Sequence, residues 1–254
     1  MIDTIIRALA LPKSAMVGRR VPKNLLVEHG AVTVADRKAV ETGIERIDWI
    51  ASLKPSTIGV AAYSDDEREA SEIAVLTMQL RPKAKGARLA TLLHRAIPYP
   101  LLLVSEMDSA ATISLAPKRH TLAKGSAQVA EAVVSSPEIS TTPDAIRSYF
   151  LASLSIANLP PASLWSLYCG LIERIEAYAA ARAGADWHMP DNQIQAAMRR
   201  AALAEHAVAV KDLARLRSRA SREKVVAQAV ALAAQVGAAK NRVNRTIAAM
   251  NMGE

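Results

Sequence analysis

The chain has 254 residues, 51% of them hydrophobic but only 4% aromatic, with a single Phe and a formal net charge of +8. That is enough apolar material for one large domain, or a domain with an appendage, whose core is carried by Ala, Leu, Val and Ile. A lone cysteine, Cys169, excludes an intramolecular disulfide and a cysteine-built zinc cluster and fits a reducing cytoplasm. No uncharged apolar run approaches the ~20 residues of a membrane-spanning helix.

The opening "MIDTIIRALALPKS" is interrupted by Asp3 and Arg7 and has no small-residue cleavage site, so it reads as a short helix over 3–10 rather than a signal peptide. "KSAMVGRRVPKNLLVEHG" follows, broken by Pro22 and Gly30 and carrying Lys13, Arg19, Arg20 and Lys23. Ile44, Ile47 and Ile50 recur at helical spacing and predict a helix over 35–53, closed by Pro55. Strands are expected at 57–63 ("TIGVAAY") and 71–80 ("SEIAVLTMQL"), with the acidic "SDDERE" between them. A helix is expected over 84–96, with Leu89, Leu92 and Leu93 on one face. Pro98 and Pro100 then fix the backbone on either side of Tyr99, a stiff corner that sends Leu101–Val104 into a buried strand over 100–107. Residues 111–118 alternate like a strand, and 127–135 form a further strand. The order β-β-α-β-β predicts an α/β (α+β) domain on a mixed sheet over 1–140.

"SSPEISTTPD" (135–144) has linker composition, and the chain turns helical beyond it. A helical extension is expected over 145–184, with Ser163 as the N-cap of its longer helix and Gly184 as its end. Cys169 sits in the apolar "LWSLYCGLIERI" and reads as a buried thiol. Over 190–252 the chain reads as a long basic helix or a helical hairpin. Ala229, Ala233, Val236, Lys240, Val243, Ile247 and Met250 step by fours and threes, as do Ala202, His206, Ala209, Leu213, Leu216 and Ala220. The two registers do not join across Ser218–Ser221, so the segment is either one helix of roughly 90 Å with a phase shift or two that fold back. The alanine-heavy seam predicts homo- or hetero-oligomerisation through this region.

Residues 191–254 hold eleven Lys/Arg against five Asp/Glu, a net +6, and so most of the excess charge. The densest part is "RLRSRASREK", with Arg215, Arg217, Arg219, Arg222 and Lys224. Cations at this density suit phosphates of duplex DNA; they equally suit the solvated face of a coiled coil. "APKRHT" adds Lys118, Arg119 and His120 at a strand end, an anion site of low specificity. A restriction-type nuclease needs paired carboxylates for Mg²⁺ and a Glu-x-Lys on the following strand. Asp65, Asp66 and Glu72 could supply the acids, but the Glu-x-Lys position holds Gln79-x-Arg81. The five histidines show no paired metal spacing, and "AKGSA" is too short for a phosphate loop. Outside the nuclease alternative, no metal and no cofactor are expected.

"LALPKSAMVGRRVPKNLL", "IDWIASLKPSTIGVAAYSDDEREASEIAVLTMQL" and "LLHRAIPYPLLLVSE…ATISLAPKR" together resemble the bacterial and archaeal family known as domain of unknown function 4391. "FLASLSIANLPPASLWSLYCGLIERI" and the basic helix around "SREKVVAQAVALAAQV" fit it as well. The resemblance implies a gene neighbourhood of DNA methyltransferases and helicases in restriction or antiviral defence clusters. The implied role is a non-enzymatic accessory protein that binds DNA, a helicase or methyltransferase partner, or both. Matching the family's basic segments, Arg20, Lys23, Lys118 and Arg119 are the implied contacts, with Arg19 beside them. A purely structural oligomer is the remaining alternative.

Overall fold

The structure, a computed structural model, describes residues 1–29, 33–120 and 128–251. The "AKGSA" segment lies outside the described residues. The chain divides into two compact units, Met1–Ile175 and Glu176–Glu254.

In the first unit, α1 (Ile2–Ala8) leads into β1 (Met16–Arg20), α2 (Lys23–His29) and α3 (Val34–Gly43). Thr33 caps α3, its hydroxyl accepting from the Asp36 amide at 3.1 Å. The chain then runs straight into β2 (Ile44–Leu53), a ten-residue strand. The helix expected over 35–53 is therefore corrected: its first half is α3 and its second half is a sheet strand. The misleading period has a physical source. β2 carries irregularities between Ile44 and Arg46 and between Trp49 and Ala51. Such bulges insert a residue and space the buried Ile44, Ile47 and Ala51 three and four apart, as a helix would.

The strand expected over 57–63 is also corrected. Pro55 starts a single helical turn, α4 (Pro55–Ile58), and Gly59 at φ 70° closes it in the left-handed region. Only Tyr63–Ser64 (β3) is extended, pairing with β4 (Glu69–Ala70) around the acidic turn. β5 (Ile73–Leu80), α5 (Gly86–Ala96), β6 (Leu101–Met107) and β7 (Ala110–Leu115) follow as expected. β8 (Lys118–His120) pairs with β9 (Gln128–Ala130), and β10 (Val134–Ser135) returns to the main sheet.

That sheet is mixed and six-stranded, in the order β1-β2-β5-β6-β7-β10. β5 and β6 are parallel, joined by the α5 crossover, and the other neighbours are antiparallel. One face carries α2, α3 and α5 over Leu26, Val40, Ile47, Leu76, Leu89, Leu92, Leu101 and Leu103. Arg88 of α5 ties to Asp36 of α3 by two bonds of 2.8 and 2.7 Å. Leu102 and Val104 alternate onto the other face and are also buried, where α1 packs on β6 and α6 (Ala145–Ser153) on α1. "SSPEISTTPD" stays inside this unit, with Ile139 bridged to Ala111. α7 (Leu164–Ala183) starts at Ser163, whose hydroxyl accepts from the Ser166 amide at 3.1 Å. Tyr168 is buried; its hydroxyl accepts from the Ala116 amide at 2.8 Å and lies 2.9 Å from the Leu101 carbonyl. Cys169 is half-buried rather than buried.

In the second unit, Gly184 (φ 110°) ends α7 while the Ala185 amide reaches back to the Ala180 carbonyl at 3.0 Å. α8 (Gln193–Ala220) and α9 (Val226–Asn251) then form a helical hairpin, so the chain folds back rather than continuing as one helix. The α8 seam is where the spacing put it: Ala202, Ala209 and Leu213 are buried. On α9 the alternate positions slip by one. Leu232 and Thr246 are buried while Ala233 and Lys240 are exposed, so the cation expected in the seam faces water. Thr246 earns its place by bonding His206 of α8 at 2.9 Å. The seam thus joins two helices of one chain.

Candidate functional site

Two features combine exposure with chemistry, a groove in the first unit and the tip of the hairpin in the second. The groove encloses about 550 Å³ where the helical layer leaves β1 and β2 uncovered. Its apolar lining includes Val17, Val21, Leu25, Trp49, Ile97 and Tyr99, and its polar groups are Arg19, Arg20, Ser52, Lys54 and Glu72. The proline corner after α5 therefore does more than end a helix, because it places Tyr99 on the groove wall. Nothing in the sequence period signals this; only the topology brings residue 99 beside residues 19–25. Glu72 is buried, accepting from the Ser52 hydroxyl and pairing with Lys54 at 3.0 Å. The carboxylate is thus neutralised, and Arg19 and Arg20 stay exposed at the rim on β1.

The other basic residues expected at a nucleic-acid surface separate. Lys118 is 2% exposed, and its ammonium donates to the carbonyls of His94 and Ile97, the latter at 2.7 Å. It caps the C-terminal end of α5, and burial pushes its pKa down to about 8. It is a structural cation, not one available to phosphates. Lys23, half-buried, donates to the Ile44 carbonyl where β2 begins, and burial, then Arg81 and Arg20, lower its pKa. Arg119 is exposed on β8.

The nuclease acids do not assemble. Asp65 accepts from the amides of Glu67 and Arg68 at 2.9 and 2.7 Å and from the Tyr63 hydroxyl at 2.6 Å, which holds the β3–β4 turn and lowers its pKa. Asp66 is exposed, and Glu72 is committed to Ser52 and Lys54. Arg81, at the lysine position of a Glu-x-Lys pair, bonds the Glu41 and Thr42 carbonyls at 3.0 and 3.1 Å and closes α3. Among the described residues, no three His, Cys, Asp or Glu side chains are placed to hold a metal. No helix among them is long and apolar enough to cross a membrane.

At the hairpin tip, Arg215, Arg217, Arg219, Arg222 and Lys224 are all exposed. Arg215 pairs with Asp212 at 3.1 Å. Arg217 and Arg219 sit in the last turn of α8, where a cation favours the helix end. That stabilising role does not extend to Arg222 and Lys224. They lie just ahead of the α9 N-terminus, where the helix end is itself positive. Glu223 holds the turn there, its carboxylate accepting from the amides of Lys224 and Val225 at 2.9 Å each.

No curated protein and no solved structure matches the chain. Residues 9–243 match the family described as Domain of unknown function (DUF4391), and the chain belongs to that family.

Proposed function

We propose that this chain is a non-enzymatic, nucleic-acid-binding accessory protein of a bacterial DNA modification or defence system, and that it contacts duplex DNA through the tip of its C-terminal hairpin. The observation that carries the reading is the cluster Arg217, Arg219, Arg222 and Lys224. The four are exposed within eight residues, and two of them sit where they oppose the stability of α9. The choice of system follows the gene neighbourhood of methyltransferases and helicases that the family resemblance implies. Arg19, Arg20 and Arg119 are also exposed, on the first unit, and lie outside the proposed contact.

The test is an electrophoretic mobility shift on a duplex of arbitrary sequence. Wild-type chain is expected to retard the duplex at low salt, and Arg217→Ala/Arg219→Ala/Arg222→Ala/Lys224→Ala to lose the shift while keeping its helical circular dichroism. Equal retardation by the two proteins would refute the assignment. Mg²⁺-dependent cleavage of the duplex, lost in Asp66→Ala, would overturn the non-enzymatic reading.

A further inference from the structure

The groove on the first unit has no part in the nucleic-acid reading, and its chemistry differs from that of the hairpin tip. Its walls are mostly apolar, with Trp49 in the lining and three exposed large side chains: Val17 at 38%, Leu25 at 43% and Tyr99 at 36%. A duplex backbone offers nothing to such a lining. Apolar residues so close together on a monomer's surface mark a binding face. The charge is one-sided. Glu72, the groove's carboxylate, is compensated by Lys54 and Ser52. Among the described residues no carboxylate pairs with Arg19 or Arg20.

The third observation is the sheet edge. β1 ends the sheet, and all five of its residues are exposed. Arg19 faces Trp49, Arg20 faces Asp48, and the Val21 amide donates to the Ile47 carbonyl at 2.9 Å. In an antiparallel ladder bonded pairs alternate, so the N–H and C=O of Arg20 turn away from β2. A free edge beside an apolar groove is the arrangement by which one protein adds an extended segment of another to its sheet.

We infer that the groove between β1, β2, α2 and the Tyr99 corner binds an extended segment of a partner protein, one that sets apolar side chains into the groove and carboxylates against Arg19 and Arg20. The segment lies along β1, its backbone takes up the outward groups of Arg20, and its aliphatic or aromatic anchor fills the space between Leu25, Trp49 and Tyr99. The inference is independent of DNA binding by the hairpin.

The experiment is selection of displayed random twelve-residue peptides on the immobilised full-length chain, with affinities of the enriched peptides then measured by fluorescence polarisation. Enriched sequences are expected to combine Asp or Glu with large apolar residues. Their binding is expected to weaken at least about tenfold in Arg19→Glu/Arg20→Glu and in Leu25→Arg. Both variants change exposed side chains, so the fold is retained, and circular dichroism checks it. Arg217→Ala/Arg219→Ala/Arg222→Ala/Lys224→Ala is expected to bind the peptides normally, and Leu25→Arg, which keeps Arg19 and Arg20, to retard duplex DNA normally. Those arms separate failure of this inference from failure of the nucleic-acid reading. No enrichment, enrichment of peptides without carboxylates, or unchanged affinity in both groove variants would overturn it. So would a dimer in analytical ultracentrifugation that Leu25→Arg dissolves, which would make a second copy the occupant.

Discussion

His94 makes the first unit sensitive to acid by an amount that can be worked out. The ring lies fully buried on α5, with Nε2 3.0 Å from the Ser114 hydroxyl and Nδ1 without a partner. Burial, helped by the Lys118 ammonium, pushes its pKa from 6.5 down to about 3. Below pH 6.5 the unfolded chain therefore takes up a proton that the folded chain refuses, and stability falls with pH until the folded ring titrates near 3. The whole window is worth about 5 kcal/mol, of which about 2 kcal/mol is lost between pH 7 and pH 5. His94→Gln keeps a hydrogen-bonding group beside Ser114 and removes the titration. Two of the three tryptophans, Trp49 and Trp165, lie in this unit, so urea unfolding followed through tryptophan fluorescence in a Trp187→Phe background reports on it. Measured at both pH values, the variant is expected to lose about 2 kcal/mol less than wild type over that interval. The other titrating groups are common to both proteins and cancel. Identical losses would refute the reasoning.

Lys118 acts at the other end of the scale. With its pKa pushed from 10.5 to about 8, the folded chain releases the proton first, so stability rises between those values, and Lys118→Met is expected to abolish the rise in urea midpoints taken across that range. Tyr168→Phe leaves the Ala116 amide and the Leu101 carbonyl without their buried partner and is expected to cost about 2–4 kcal/mol in urea unfolding. Gly170→Ala would place a methyl 2.5 Å from Pro160 Cδ, and the overpacking is expected to cost about 1–3 kcal/mol, read as a lowered melting temperature. Ser163→Ala removes the α7 cap at a cost of about 1 kcal/mol in the same assay.

Much of the fold was legible because local signals agreed with the tertiary context. α5 has its apolar stripe at helical spacing, β6 is a dense aliphatic run after a proline stop, and Ser163 caps α7 as its neighbours suggest. β2 was not legible, since its bulges gave a strand the period of a helix. The α9 seam was half legible. Ala229, Val236, Val243 and Met250 lie on it, but weak alanine patterning left the intervening positions one residue out. Site residues fared according to what burial did to them. Lys118 looked like a surface cation in "APKRHT", and only the tertiary fold shows it capping α5. The groove was invisible in sequence because its walls come from four separated segments, around residues 17–26, 49–54, 72 and 93–99.

The most direct test of the proposed function is the salt dependence of duplex binding. Each phosphate neutralised contributes about −0.9 to the slope of log K against log salt. Four tip cations in contact predict a wild-type slope of about −3.6 or steeper, made shallower by about 0.9 in each of the single variants Arg217→Ala, Arg219→Ala, Arg222→Ala and Lys224→Ala. A wild-type chain that binds with a slope the four substitutions leave unchanged, or that does not bind at low salt, would contradict the proposal.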